Sequence, residues 1–218
     1  MVDLMVDLYI NATLQTLTMV GVSAFIAALC GLALALVLVT TGPGDLYASQ
    51  LVNRVIGNAV NVFRSVPFII LLVVLLPFTR LVAGTTIGVW AAVVPLSIAG
   101  TPFFARIAEV SLREVDRGLI EAAQAMGALR WHIIRHVLLP EALPGIVSGL
   151  TITLVAMIGS SAMAGAVGAG GLGDLAIRYG YQRFNSKLMF AVLVGLVVLV
   201  ALVQATGDRI ARRLDHRS

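Results

Sequence analysis

EAAQAMGALRWHIIRHVLLP, residues 121–140, is the stretch that decides how the rest of this chain is interpreted. It is the longest segment rich in polar side chains within an otherwise strongly apolar sequence. Four small or apolar residues recur at the i, i+3, i+4 and i+7 positions of one helical face: Leu119, Ala122, Ala123 and Met126. We predict a helix that docks this face in a groove of another protein and ends at Gly127, since glycine is a poor helix former. A second short segment, residues 129–139, then runs to Pro140.

Composition places the chain among integral membrane proteins. Of its 218 residues, 59% are hydrophobic and only 12% are charged, which is far outside the range of soluble domains. We expect a single membrane domain over residues 1–218. The lone Cys30 excludes a disulfide within one chain and is expected to be a buried, inert thiol.

Five apolar segments are long enough to cross a bilayer as helices. We predict them at about residues 14–39, 59–78, 86–105, 145–167 and 188–207, with a polar loop at 106–144 that holds the docking helix. The predicted fold is therefore an all-α integral membrane protein with five transmembrane helices and a cytoplasmic coupling helix. In the first span, Ala27, Gly31 and Ala35 recur at every fourth position, a pattern that lets another helix approach closely.

The second predicted span has two features that disturb a straight helix. Arg64 stands near its start, where its side chain is expected to snorkel to the lipid headgroups. Pro67 and Pro77 interrupt helical hydrogen bonding within the span and near its end. We therefore expect a kinked helix.

The positive charges predict the orientation of the spans. Of the 15 Lys and Arg residues, four fall on one side of the five spans: Arg80, Arg178, Arg183 and Lys187. The other eleven fall on the side of the docking loop and the C-terminus. Because Lys and Arg accumulate on the cytoplasmic side, we predict a cytoplasmic docking loop and C-terminus and an external N-terminus. The net charge of +4 thus reports orientation and indicates no nucleic-acid surface.

The fourth span is crowded with Gly, Ser and Ala, so that one of its faces is almost bare of bulky side chains. Such a face is typical of a helix that lines a pathway. Ser160, Ser161 and Met163 are the candidates for contact with a passing solute or for a gate. The alternative is that this face only permits tight helix packing.

Two motifs that carry chemistry in other proteins are weak here. Residues 168–173 match GxGxxG, but no strand precedes them and no acidic residue follows at the required distance, so we interpret them as a glycine-permitted turn. His132 and His136 are one helical turn apart, but Ile133 stands where a zinc protease has Glu. We interpret the pair as part of a cytoplasmic interface and expect no metal site.

The spacing in the opening stretch resembles a known family motif. The spacing is EAA, three residues, Gly127, nine residues and then V-x-L-P. It resembles the EAA loop of ABC importer permeases, and this chain has Val137 where the family pattern has Ile. Three other stretches resemble the methionine-uptake permeases of bacteria: residues 64–68, 161–173 and 207–209. Composition alone favours a surface amphipathic helix between two membrane spans, but a match across some twenty residues reverses this and favours the docking interpretation.

The resemblance implies a type I permease of a binding-protein-dependent importer in the bacterial inner membrane. It implies a homodimer in the lipid bilayer, two cytoplasmic ABC ATPase subunits and an external solute-binding protein. No P-loop occurs in this sequence, so ATP and Mg²⁺ are expected on the ATPase, with no cofactor and no enzymatic reaction in this chain. The residues expected to couple the two subunits are Glu121, Ala122, Ala123, Met126 and Gly127, with Glu121 capping its helix or pairing with a basic group.

The solute that the resemblance implies is methionine, as both the L and the D enantiomer. A permease of the same family for glycine betaine or phosphonate remains an alternative, because the docking loop is common to all of them. An ATP-independent channel or an intramembrane enzyme is a further alternative. The predicted spans contain no carboxylate, which argues against the enzyme, and a docking loop would have no purpose in a channel.

Overall fold

The computed structural model describes residues 2–215 of the chain, with side chains from residue 5 onward, and all regular elements in this range are helical. The all-α prediction is thus confirmed. The α-helices are α1 (Val2–Thr40), α2 (Gln50–Ser65), α3 (Phe68–Val74), α4 (Leu76–Ala83), α5 (Val89–Arg113), α6 (Arg117–Ala125), α7 (Arg130–Ile133), α8 (Leu139–Ala166), α9 (Gly171–Leu175) and α10 (Ser186–Leu214). Two π-helical turns, Ile134–Leu138 and Ala176–Tyr181, join α7 to α8 and follow α9.

Within residues 2–215, four helical stretches are long and apolar enough to cross a membrane on their own: Met5–Thr40, Val89–Arg113, Arg130–Ala166 and Ser186–Leu214. The pair α2 and α3 passes the same test only when both are taken together, and the two helices are bent by 101°. The structure thus has four candidate spans, or five when the bent pair counts as one.

The second span is the main departure from the predicted boundaries. We predicted one kinked helix over 59–78, but the helix starts at Gln50, breaks after Ser65 and resumes at Phe68. Val66 is extended, with φ −81° and ψ 124°, because the ring of Pro67 disfavours the helical region for the residue before it. Pro67 also lacks the NH group that would continue the ladder.

The predicted loop 106–144 is shorter in the structure than in the prediction. α5 continues to Arg113 despite Pro95 and Pro102 inside it, and α8 already begins at Leu139. The last helix likewise extends past the predicted boundary of 207 to Leu214, so that Arg212 and Arg213 lie in its last turn. Charged residues at helix ends carry no apolar signal, and the hydropathy pattern therefore underestimates these helices.

α1 and α5 form the centre of the bundle through a close contact between small residues. Ala27 and Ala35 are fully buried, and a Cβ atom at Gly31 would lie 2.8 Å from the carbonyl oxygen of Thr101. The prediction that this small-residue pattern admits a neighbouring helix is confirmed. Ser23 on α1 also donates a hydrogen bond to the carbonyl oxygen of Val93, 3.3 Å away.

α8 packs beside α5, and α10 covers α8 from the outside. Gly207 on α10 contacts the side chain of Thr151 on α8, so these two helices also approach closely. Most of α10 is exposed in the single chain, and only 6% of its most apolar segment is buried. Cys30 is exposed as well, so the expectation of a buried thiol is wrong: it lines an open groove between α1, α2 and α5.

Candidate functional site

α6 is a short helix with well-formed ends. Asp116 caps its start, because a carboxylate oxygen accepts a hydrogen bond of 2.8 Å from the backbone NH of Gly118. At its end, Gly127 has φ +79°, and the NH groups of Gly127 and Ala128 bond back to the carbonyls of Gln124 and Ala123. The predicted break at Gly127 is confirmed. The capping role predicted for Glu121 is wrong, since this residue is the fifth of the helix.

The exposed side of α6 contains the residues predicted for docking with one exception, Ala123. Glu121 and Ala122 are exposed, and 82% of the Met126 surface is accessible. Ala123 is only 6% exposed and faces its own chain, so it cannot belong to a docking face that another protein contacts. The helical period places Ala122 and Ala123 about 100° apart, and the structure turns the second of them inward.

Two further apolar residues extend the exposed side of α6. Leu129 and Trp131 follow the turn at Gly127 and are 69% and 58% exposed. Together with Leu119, Ala122 and Met126 they form a surface that we call the coupling face. Sequence reasoning missed Leu129 and Trp131 because it treated the segment after Gly127 as a separate unit. An exposed tryptophan beside a helix break is the signal that could have identified them.

The segment after Gly127 anchors the coupling face to the bundle. Ile134 and Leu138 are buried in the same cluster as Phe104 and Leu112 of α5. The predicted end of this segment at Pro140 is wrong, since the helix runs without a break from Arg130 to Ala166. A π-helical turn precedes the proline, and there the NH of Leu139 bonds to the carbonyl of Ile134, five residues back. The wider turn accommodates the missing NH of Pro140.

A buried carboxylate lies where α5 meets α1, close to the start of α6. The side chain of Glu109 is 6% exposed and accepts hydrogen bonds from Arg106 at 2.7 Å and from Arg113 at 3.0 Å. Arg113 also donates to the carbonyl oxygen of Leu38 at 3.2 Å, and Asn53 of α2 donates to the same oxygen at 2.6 Å. This oxygen belongs to the last turn of α1, where no helical NH is available to it. Three helices are thus joined at one carbonyl.

Replacing Glu109 by Gln is expected to lower the stability of the chain by about 1 to 2 kcal/mol. The variant keeps the shape but removes the negative charge between two guanidinium groups, which are themselves 42% and 43% exposed and therefore partly compensated by solvent. Thermal unfolding in detergent measures the effect. Asp174→Asn, which breaks the more exposed pair with Arg178, is the matched control and should shift the midpoint much less. Equal shifts in both variants would contradict this reasoning.

Of the three candidate pathway residues on α8, two lie on its open face and one is buried inside the chain. Ser161 is 2% exposed and donates a hydrogen bond of 2.7 Å to the carbonyl of Ile158, so it packs inside the chain and faces no pathway. Met163 is 53% exposed, and Ser160 is half-buried in a cleft between α2, α5 and α8. A Cβ atom added to the neighbouring Gly159 would meet nothing within 4 Å. The open face of α8 therefore includes Ser160 and Met163 and excludes Ser161.

The glycine-rich turn at residues 168–173 holds α9 against α1. Gly168, Gly170 and Gly171 have positive φ angles, which confirms the interpretation as a glycine-permitted turn. The NH of Gly171 donates to the side-chain oxygen of Gln15 at 2.8 Å, and that of Leu172 donates to Thr16 at 2.9 Å. The backbone groups that a nucleotide phosphate would need are thus engaged by α1.

The histidine pair lies on the exposed side of the segment that follows the coupling face. The ring centroids of His132 and His136 are 5.8 Å apart, and the rings are tilted. Within residues 2–215, no group of three or more His, Cys, Asp or Glu side chains is arranged to hold a metal ion. Arg130 at the start of the same segment stacks over the ring of Tyr47 at 5.2 Å, which ties it to the loop between α1 and α2.

Comparisons with known proteins agree with this geometry. A probable D-methionine transport system permease protein of Vibrio cholerae is 50% identical over 211 residues, covering 97% of this chain and 94% of that protein. A methionine import system permease protein of Bacillus subtilis is 46% identical over 95% of this chain and 93% of its own length. A solved structure of the MetNI methionine ABC transporter in an inward-facing conformation superimposes with a TM-score of 0.97 at 49% identity, covering 99% of this chain and 100% of the matched one.

The resemblance inferred from the EAA spacing and the other motifs is confirmed by these matches. The family described as binding-protein-dependent transport system inner membrane component matches residues 27–218, which is most of the chain. The matched region includes the coupling face, the buried Glu109 and all of α8. The chain belongs to this family of inner membrane transport components and has its type I permease fold.

Proposed function

We propose that this chain is the membrane-spanning permease subunit of an ATP-driven importer that carries methionine, in both enantiomers, into the cytoplasm. The observation that carries the proposal is the identity of about half of all residues, over nearly the full length, to permeases named for methionine. The exposed coupling face supports it, because a permease without its own nucleotide site needs a surface on which a partner ATPase acts.

The proposed assembly contains two copies of the chain, two cytoplasmic ATPase subunits and an external solute-binding protein in the bacterial inner membrane. A single chain exposes a large part of its helical surface, including most of α10 and the open face of α8. Lipid and a second copy are the proposed partners of these surfaces. ATP and Mg²⁺ bind the ATPase subunits, and this chain performs no covalent chemistry.

Coupling in this assembly is mechanical. The ATPase contacts Leu119, Ala122 and Met126 and moves α6 when ATP binding closes the two ATPase subunits. The movement reaches α5 through the three residues that separate the two helices and through the apolar cluster that contains Ile134 and Leu138. Because Arg113 joins α5 to the end of α1, these two helices follow as one body.

The transported solute can be tested with the complete transporter. The permease, its ATPase and its binding protein are reconstituted in liposomes, and uptake of radiolabelled L-methionine and D-methionine is measured with ATP inside. Uptake of both enantiomers is expected, with no competition from glycine betaine or a phosphonate at equal concentration. Competition by either solute, or uptake without ATP, would favour a permease for another solute or a channel.

The proposed orientation is testable with reporter fusions. A reporter after Ser218 or inserted near Gly118 is expected in the cytoplasm, and one placed before Met1 is expected outside. Met1 and residues 216–218 lie outside the described residues, so this prediction rests on the distribution of Lys and Arg. An external reporter at Gly118 would contradict the coupling argument, because the ATPase lies in the cytoplasm.

A further inference from the structure

A cleft of about 180 Å³ lies between α2, α5 and α8, on the open side of α8 that includes Ser160. Its walls carry one guanidinium group, one hydroxyl group and several soft apolar side chains. The residues that matter here are Arg64, Ser160, Phe63, Phe68, Phe103 and Met157. The cleft therefore combines a cation with aromatic rings and a thioether.

The cleft lies at the middle of the bundle. Gly100 lines it and is the twelfth of the 25 residues of α5, so the cleft is about equally far from both ends of that helix. The side chain of Met157 packs directly on Gly100 and forms the floor. The side chain of Arg64 is exposed in the single chain, and the expectation that it snorkels to the headgroups stays a prediction.

Arg64 reaches the cleft because α2 ends there. It stands in the last turn of α2, two residues before the extended Val66 and the 101° bend. Its side chain is exposed in the single chain and forms no ion pair with a carboxylate of residues 5–215. The Arg64 guanidinium is therefore available to bind a carboxylate that enters the cleft.

The chemistry of the walls indicates which class of ligand fits the cleft. A guanidinium binds a carboxylate through two parallel hydrogen bonds, and aromatic rings make favourable contacts with thioether sulfur. Ser160 donates its own proton to the carbonyl of Ala156 at 3.1 Å, which leaves the lone pairs of its oxygen free to accept from an ammonium group. We propose that this cleft is a transient subsite for an amino acid with an apolar or thioether side chain, whose carboxylate binds Arg64. The inference rests on the proposed function and adds a place within this chain where the solute is recognised.

The subsite predicts that the membrane component itself requires a free carboxylate on the solute. Methioninamide carries the same side chain and ammonium group but no carboxylate, so it should not occupy the cleft. Arg64→Gln should weaken occupancy by roughly tenfold to a hundredfold, since it removes a charge-assisted pair of hydrogen bonds. Arg64→Lys keeps the charge but loses the planar guanidinium, so its occupancy should lie between those of the wild type and Arg64→Gln.

The test is photo-crosslinking with a diazirine analogue of methionine, applied to the purified permease and ATPase complex without binding protein. Labelled peptides are located by mass spectrometry. We expect labelling of α2, α5 or α8 peptides that line the cleft, competed by L-methionine and not by methioninamide. Arg64→Gln should lose this labelling, and Arg54→Gln, an arginine on the same helix that does not line the cleft, should keep it.

The outcomes separate this inference from the proposed function. Failure of the wild-type transporter to import methionine would overturn the proposed function. Normal methionine import together with labelling that is unaffected in Arg64→Gln, or that maps outside the cleft, would overturn the subsite alone. Dissociation of the permease dimer in Arg64→Gln, measured by size-exclusion chromatography with light scattering, would make Arg64 a subunit contact and also overturn it.

Discussion

Ala122→Arg is expected to abolish uptake while the permease stays folded in the membrane. Ala122 lies in the centre of the coupling face, between Leu119 and Met126, and is exposed in the single chain. A long charged side chain there would meet the wall of a groove shaped for a small residue. Overpacking costs about 1 to 3 kcal/mol and an unpaired buried charge costs more, which weakens docking by about tenfold or beyond. Co-purification with the ATPase, together with transport in liposomes, measures the effect.

Ala123→Arg is the matched comparison, one residue further along the same helix. Because Ala123 is buried against its own chain, this variant should lower the melting temperature of the permease, which Ala122→Arg should not do. Gly127→Asp should also reduce uptake, through strain in the positive φ of the turn, since the space around this residue is open. Full ATPase binding and normal uptake in Ala122→Arg would show that α6 is not the coupling element.

Gly173→Ala is expected to destabilise the chain strongly, because this glycine lies in the close contact between α9 and α8. A Cβ atom at this position would collide with the backbone oxygen and the Cα of Ala162 in α8. Backbone atoms cannot move aside as the end of a flexible side chain can, so α9 would have to separate from α8. We expect a loss of about 1 to 3 kcal/mol and a fall of the thermal midpoint by on the order of 5 to 10 °C.

Gly159→Ala is the control for this prediction. Gly159 lies in α8, three residues before Ala162. A Cβ atom at Gly159 would meet nothing within 4 Å, and alanine is a better helix former than glycine. The thermal midpoint should therefore stay the same or rise slightly in the isolated chain. A Gly173→Ala variant as stable as the wild type would mean that the contact between α8 and α9 is looser than the structure indicates.

Local sequence patterns predicted the coupling helix well and its orientation less well. The helical spacing and the position of Gly127 depend on neighbouring residues, and both were correct. Ile120 packs against the cluster that contains Phe104 and Leu112 of α5. Which side of α6 faces the bundle thus depends on another helix, so the burial of Ala123 could not be read from α6 alone. The same reason separates Ser160 from Ser161: adjacent serines have equal composition signals, and only the packing of α8 on α5 decides which is buried.

The second span shows a different limit of sequence reasoning. Pro67 predicted a disturbance but not its size, because a proline in a membrane helix produces anything from a mild kink to a full break. The break places Arg64 at the end of α2, where it lines the cleft between α2, α5 and α8. The sequence alone placed Arg64 near the start of a span, and only the packing of the broken helix shows that it lines this cleft.

The π-helical turn at residues 134–138 makes the number of residues between the coupling face and α8 as important as their identity. Deleting one of these five residues would restore the regular period of 3.6 residues per turn and rotate everything before it by about 100° relative to α8. Trp131 would then leave the side that it shares with Met126, although every residue of the coupling face would still be present. A permease of this design therefore tolerates many substitutions in this segment more readily than the loss or gain of a single residue.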